Sequence, residues 1–191
     1  SWPRCFSPAH LFLPTATSAG SLPLVILCCG HGQGGKQAPG YQAMARLLAS
    51  MGMAVLVPDN LGQGERAPMG HRDVVAPFRC GISLQGLIVM ETIGWLRWAL
   101  ADTRFDRARI AAIGNSGGGT LSMFLGALCG DDLAALSSSG YPSSFAFIAA
   151  KEKKHCHCNL LPGIVGQLEM WQVLGCFAPK PMFLFQGRMD P

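Results

Sequence analysis

The chain has 191 residues, a formal charge of +4 and a pI near 8.7, with 49% hydrophobic and 14% charged residues. That is enough apolar sequence for one domain with a substantial core, and it excludes a disordered segment. The charge is too mild for a nucleic-acid or membrane-surface footprint, and the one basic cluster (Lys151, Lys153 and Lys154 around Glu152) reads as a solvated loop.

The predicted elements begin with strand-like sequence at residues 9–13. Residues 22–29 form a continuous apolar run, as in a strand covered on both faces. Residues 41–51 place Tyr41, Met44, Leu47, Leu48 and Met51 on one helical face, and Gly52 ends that helix. A second buried strand at 53–57 stops at Pro58 and Asp59, followed by a loop with Gly62 and Gly64. Leu84, Leu87, Ile88, Trp95, Trp98 and Ala99 mark a long helix, and Glu91 falls on the same stripe without an evident partner. Residues 109–113 form a third strand. Leu121, Phe124, Leu125 and Leu128 recur at helical spacing, and two more strands lie at 133–136 and 181–186. Strands separated by helices imply an α/β fold with a mostly parallel sheet and helices on both faces. Ligands bind such sheets at the carboxyl ends of their strands, so the chemistry is sought in the loops after the strands.

Eight cysteines are present, but Cys28 and Cys29 are adjacent within an apolar strand and read as small buried hydrophobes on opposite faces. Reduced thiols and a cytoplasmic setting are expected. The most apolar long stretch, residues 82–100, contains Gln85, Glu91 and Arg97 and makes a poor membrane span. Because the sequence starts at Ser1 and is soon strand-like, a cut or processed N-terminus is expected. The whole chain, 1–191, reads as a single domain.

After the third strand comes Gly114-Asn115-Ser116-Gly117-Gly118-Gly119, which contains G-x-S-x-G between a strand and a helix. Such a turn holds the serine in a strained conformation and lifts its hydroxyl above the sheet. The flanking glycines are needed because a side chain there would strike the neighbouring strand and helix. The helix that follows aims its N-terminus at developing negative charge. A phosphate loop fits less well, since the P-loop lysine is missing and the spacing fails G-x-G-x-x-G. Ser116 is therefore the candidate nucleophile.

A serine nucleophile that attacks a carbonyl needs N–H donors for the oxyanion. One donor would be the residue after the nucleophile, Gly117. The other would come from Gly30-His31-Gly32-Gln33-Gly34-Gly35, at the end of the 22–29 strand, with Gln33 the choice and Gly34 the open alternative. His31 reads as packing and ordering this turn rather than as a base.

The acid should follow the serine and the histidine should follow the acid. The strand at 133–136 leads into Ser137, Ser138, Ser139 and Gly140, with no carboxylate. The strand at 181–186 leads to Asp190, which therefore fits the role of orienting the histidine and stabilising its charged form. All five histidines (His10, His31, His71, His155 and His157) precede Asp190. The base is thus expected beyond Pro191, with this chain incomplete at its C-terminus. In a serine triad, losing the histidine alone costs about 10⁶ in turnover, so the chain by itself is expected to be nearly inactive.

These residues resemble the α/β-hydrolase superfamily, and within it the acetylxylan-esterase-like and dienelactone-hydrolase-like enzymes. The likeness runs through Gly30-His31-Gly32, Pro58-Asp59, Gly62-Gln63-Gly64-Glu65-Arg66, Phe105-Asp106, Arg109-Ile110 and the six-residue segment around Ser116. It continues in Cys158-Asn159, Pro162-Gly163, Ala178-Pro179-Lys180-Pro181, Gly187 and Asp190. It implies a three-layer α/β-hydrolase fold and cleavage of carboxylic esters, often acetyl groups on carbohydrate, through an acyl-enzyme. Ser116 and Asp190 carry over as nucleophile and acid, while the family's histidine has no counterpart here. The partner implied is a small-molecule ester, with no nucleic acid, no membrane and no stated oligomeric order. A prolyl-oligopeptidase-type peptidase and a non-catalytic ligand-binding relative are the alternatives.

No metal or organic cofactor is required by this mechanism. In His155-Cys156-His157-Cys158 only alternate residues of an extended segment could share an ion, and a structural loop beside the site is the preferred reading. Glu65 and Arg66 read as ordering their loop rather than as catalytic groups.

Overall fold

The structure is a computed structural model that describes residues 6–15, 20–71, 75–150, 155–159 and 161–188. Six strands form one sheet: β1 (Ala9–Phe12), β2 (Leu22–Cys28), β3 (Ala54–Pro58), β4 (Phe105–Asn115), β5 (Ala135–Ser139) and β6 (Met182–Phe185). Their order across the sheet is β1-β3-β2-β4-β5-β6. β1 runs antiparallel to β3, and every other neighbouring pair is parallel. The helices are α1 (Pro39–Ser50), α2 (Val75–Arg79), α3 (Leu84–Ala101), α4 (Gly117–Cys129), α5 (Phe145–Ala150) and α6 (Met170–Gly175).

The alternation of β2 divides the core between the two faces of the sheet. Leu24, Ile26 and Cys28 join the larger cluster, with Ile88 and Leu96 of α3, Leu121 and Leu125 of α4 and Val173 of α6. Val25, Leu27 and Cys29 join the smaller one, with Ala45 of α1 and Val55 and Val57 of β3. Cys28 and Cys29 thus serve the two faces as expected, and burial pushes the Cys28 thiol up to about 12. Such thiols pack as small hydrophobes and are inert as nucleophiles. No helix among the described residues is long and apolar enough to cross a membrane.

The expected stripes are met in part: Tyr41 and Leu48 of α1 pack on the smaller cluster, and Leu84, Ile88 and Ala99 of α3 are buried. On α1 the buried residues are Ala45 and Ala49, while Met44, Leu47 and Met51 are exposed. On α3 the buried set includes Val89, Thr92 and Leu96, and Trp98 is 37% exposed. α1 is amphipathic, and its contact face centres on Ala45 and Ala49, whose small side chains allow close approach to the sheet. α3 is apolar nearly all round, so periodicity alone does not select its contact face. β5 is also displaced, running to Ser139 rather than ending at residue 136. Ser138 accounts for the extension: its hydroxyl is buried within the layer and donates to the Gly119 carbonyl at 2.8 Å.

Glu91, whose place on the α3 stripe had no partner in sequence, accepts a two-pronged bond from the Arg66 guanidinium at 2.6 and 2.7 Å. Arg66 is 1% exposed. A short 3₁₀ segment, Gly64–Met69, is thereby pinned against α3. Removing one member of a buried pair strands the other charge. Glu91→Ala is expected to cost about 3 kcal/mol in urea unfolding, whereas the pair Arg66→Met with Glu91→Leu stays within about 1 kcal/mol of the parent.

Candidate active site

Ser116 has φ 56° and ψ −123°, and among the described residues it alone is a non-glycine with positive φ. Such a conformation costs of order 1–3 kcal/mol and persists only where the surroundings over-determine it. The Ser116 amide donates to the Ser139 carbonyl at 2.8 Å, and the Ser116 carbonyl accepts the Thr120 amide at 3.1 Å as the first bond of α4. The serine is exposed at the carboxyl end of β4.

Glycines make this turn possible. A Cβ at Gly114 would lie 2.1 Å from the Gly118 carbonyl oxygen, and one at Gly118 would lie 2.1 Å from that of Cys28. β4 and α4 therefore touch backbone to backbone, and α4 reaches across to β2 in the same way. This is the physical reason, expected from the motif, that flanking side chains are excluded.

The loop after β2 is held from several sides. The Gly30 amide donates to the Tyr41 hydroxyl, the Gly32 amide to Gln63 Oε1 at 3.0 Å, and Asn60 Nδ2 to the Cys29 carbonyl at 2.7 Å. Beneath it, Lys36 Nζ is buried against the carboxylates of Asp59 and Glu65. Asp59 also accepts the Lys36 amide at 2.7 Å and the Glu65 amide at 3.1 Å. Glu65 and Arg66 do order their loop, and Lys36 and Asp59 are structural members that the sequence left without a role. With the neighbouring amides so engaged, the N–H groups of Gln33 and Gly34 donate to no described residue. The Gly117 N–H belongs to the first turn of α4, where no intrahelical partner exists.

A cleft of about 820 Å³ opens beside this loop. Its walls include His31, Gln33, Gln63, His71, Cys156 and His157. Ser116 is not in the wall, but a smaller adjoining recess shares His31, Gln63 and His71 and adds Gly117 and Cys158. Asp190 lies outside the described residues, as do Lys151, Lys153 and Lys154.

His31 has two close neighbours. A Cβ on Gly117 would be 2.8 Å from its Nδ1, and its Nε2 lies 3.1 Å from Cys158 Sγ. The ring of His71 packs edge-on against it, with centroids 5.1 Å apart. The ligand atoms of His31, His71, Cys156 and Cys158 all lie within 4.8 Å of one another. Contacts with Cys158, and with the rings of His31 and His71, hold the Cys156 thiol far below its usual range against the opposing pull of burial. Local sequence supplied only half of this group, because His31 and Cys158 are 127 residues apart.

The strand order, the parallel sheet and the strained serine between β4 and α4 define the α/β-hydrolase fold. Solved structures sharing it include a Bacteroides fragilis protein provisionally named acetyl xylan esterase. It aligns at 17% identity over 95% of this chain and 56% of its own, with a TM-score of 0.77. Est1E from Butyrivibrio proteoclasticus, solved with ferulic acid bound, aligns at 19% identity over 93% of this chain and 73% of its own, TM-score 0.64. An acetyl xylan esterase from Paenibacillus sp. R4 aligns at 20% identity over 90% of this chain and 59% of its own, TM-score 0.60. At such identities the likeness establishes the fold. The chain spans little more than half the length of the Bacteroides and Paenibacillus proteins. No protein-family model matches the sequence, and no curated protein is significantly similar to it.

Gly118→Ala is expected to cost about 3 kcal/mol and lower Tm by roughly 6–12 °C. Gly94→Ala, on α3 with open space at its Cβ, is expected to hold or slightly raise Tm. Differential scanning calorimetry of the two variants checks the contrast.

Proposed function

We propose that the protein is a serine-dependent carboxylic ester hydrolase acting on acetyl or other short acyl esters, with carbohydrate-borne esters as the substrate class. The observation that carries this reading is the strained backbone of Ser116 at the mouth of α4. The esterases among the solved structures of the same fold support an ester as substrate. The cleft beside the loop after β2 is of the size that small-molecule sites occupy.

In this mechanism Ser116 Oγ attacks the ester carbonyl while its proton passes to a histidine. The oxyanion forms against the amides of Gly117 and Gln33, with Gly34 the neighbouring alternative. Their lack of described partners suits that role, and losing one such donor typically costs about 10²–10³ in rate. The C–O bond to the alcohol breaks, the histidine returns the proton to the leaving oxygen, and the acyl group stays on Ser116. Water activated by the same histidine then releases the acid. Asp190 is the carboxylate assigned to orient that histidine. The histidine is assigned to a position after Asp190, following the serine–acid–histidine chain order of the fold. His31 is assigned to ordering the loop, since its Nε2 is already engaged with Cys158.

The test is hydrolysis of p-nitrophenyl acetate, paired with labelling by a fluorophosphonate, in this chain and in a longer protein that contains it. The longer protein should label at Ser116, and Ser116→Ala should abolish labelling and lower kcat by roughly 10⁴–10⁶. The 191-residue chain alone should turn over about 10⁶-fold more slowly than the longer protein. Failure of the longer protein to label would favour a non-catalytic, ligand-binding relative. Ser116-dependent turnover by the short chain would move the proton acceptor to a histidine within it, with His31 the nearest to Gly117.

A further inference from the structure

We propose that His31, His71, Cys156 and Cys158 form a four-ligand site for a thiophilic divalent cation, zinc by preference, which ties three loops together at the edge of the cleft.

The argument begins with the ligand set. Two thiols and two imidazoles match the donors of closed, tetrahedral zinc sites. No carboxylate belongs to the group, which disfavours magnesium and calcium. The distances are close to what an ion needs. Zinc bonds of about 2.3 Å to sulfur and 2.0–2.1 Å to nitrogen place tetrahedral ligand atoms roughly 3.3–3.8 Å apart. The four atoms here lie within 4.8 Å of one another, and the His31 Nε2 to Cys158 Sγ edge is 3.1 Å.

Local chemistry prepares each ligand. His71 Nδ1 is spent on the Leu61 carbonyl at 2.7 Å, which sets the tautomer with its lone pair on Nε2. That Nε2 is buried and faces the Cys156 thiol within the cluster. A carbonyl on the far ring nitrogen is the usual device for aiming a histidine at a metal. Cys156 and Cys158 are both free thiols. They flank His157, where a 3₁₀ turn begins, and the turn brings both sulfurs to one side. Both sulfurs bind as thiolates, any proton still held being released to solvent, and the two thiolates neutralise the charge of the ion.

The three segments come from distant parts of the chain and meet at this cluster. His31 belongs to the loop after β2, His71 follows the 3₁₀ segment Gly64–Met69, and the cysteines flank His157 far along the chain. An ion would cross-link them and fix the position of Gln33, two residues from His31. That makes it a loop-positioning ion, with all four ligands supplied by the protein. The proposal rests on the four ligand atoms and not on the hydrolase reading, so it is tested without an activity assay.

The experiment is a cobalt(II) titration of the full 191-residue chain, stripped with a chelator and kept reduced by a phosphine. Saturation at one ion per chain is expected, with visible d–d bands of tetrahedral cobalt and near-ultraviolet thiolate-to-cobalt charge transfer. Zinc should displace the cobalt and raise Tm, and chelation should reverse the gain. The double variant Cys156→Ser with Cys158→Ser should lose the charge-transfer band, and Cys176→Ser, an exposed thiol outside the group, should keep it. The proposal is overturned by a wild-type chain that shows no charge transfer at stoichiometric cobalt. It is equally overturned by a band that survives in the double variant. Because the wild-type titration decides alone, a poorly folding variant does not shield the idea.

Discussion

The approach of α4 to the sheet through bare backbone is the constraint on which the site depends. Gly114, Gly118 and the Cys28 carbonyl meet at distances that leave no room for a β-carbon. This contact joins the strand before Ser116, the helix after it and β2, whose following loop carries Gln33. It therefore brings Ser116, the N-terminus of α4 and that loop to one end of the sheet. Holding Ser116 in positive φ stores strain, and the over-determined contacts on each side are what sustain it.

Around that contact, buried charges do what apolar packing cannot. The loops after β2 and β3 are too rich in glycine to offer much surface for a core, so they are held by ion pairs with buried members. Lys36 and Asp59 face each other beneath the loop after β2, and buried Arg66 fastens the next segment to the part-exposed Glu91 on α3. Pairs of this kind add little net stability over an apolar replacement, but they demand one geometry.

The cleft wall carries a second organising group on its other side. The imidazoles and thiols of His31, His71, Cys156 and Cys158 converge from three loops, next to Gly117 and within two residues of Gln33. Loop order at this site is thus set from below by ion pairs and from the cleft side by a soft-donor cluster. Sheet, helix N-terminus and loop clamps together form a rigid base around Ser116.

Much of this was legible in the residues. The strands appeared because hydrophobic runs of strand length sit between glycine and proline breaks, and β1, β2, β3 and β6 lie where those runs fall. The turn at Ser116 was readable because its geometry tolerates so few residue types. The contact face of α3 was readable only in part, at Leu84, Ile88 and Ala99, since a helix that is apolar nearly all round carries little directional signal. The partners of Glu91, Lys36 and Asp59 were hidden too, because an ion pair between distant segments leaves no local spacing.

The amino-acid sequence by itself determined the class of sheet, the place of Ser116 and the glycines that surround it. These follow from backbone sterics, which act between near neighbours. Only the tertiary structure decided which helix faces pack, which buried charges meet and that His31 and His71 join Cys156 and Cys158. Those contacts depend on where the crossovers return the chain, and sequence separation says nothing about that distance.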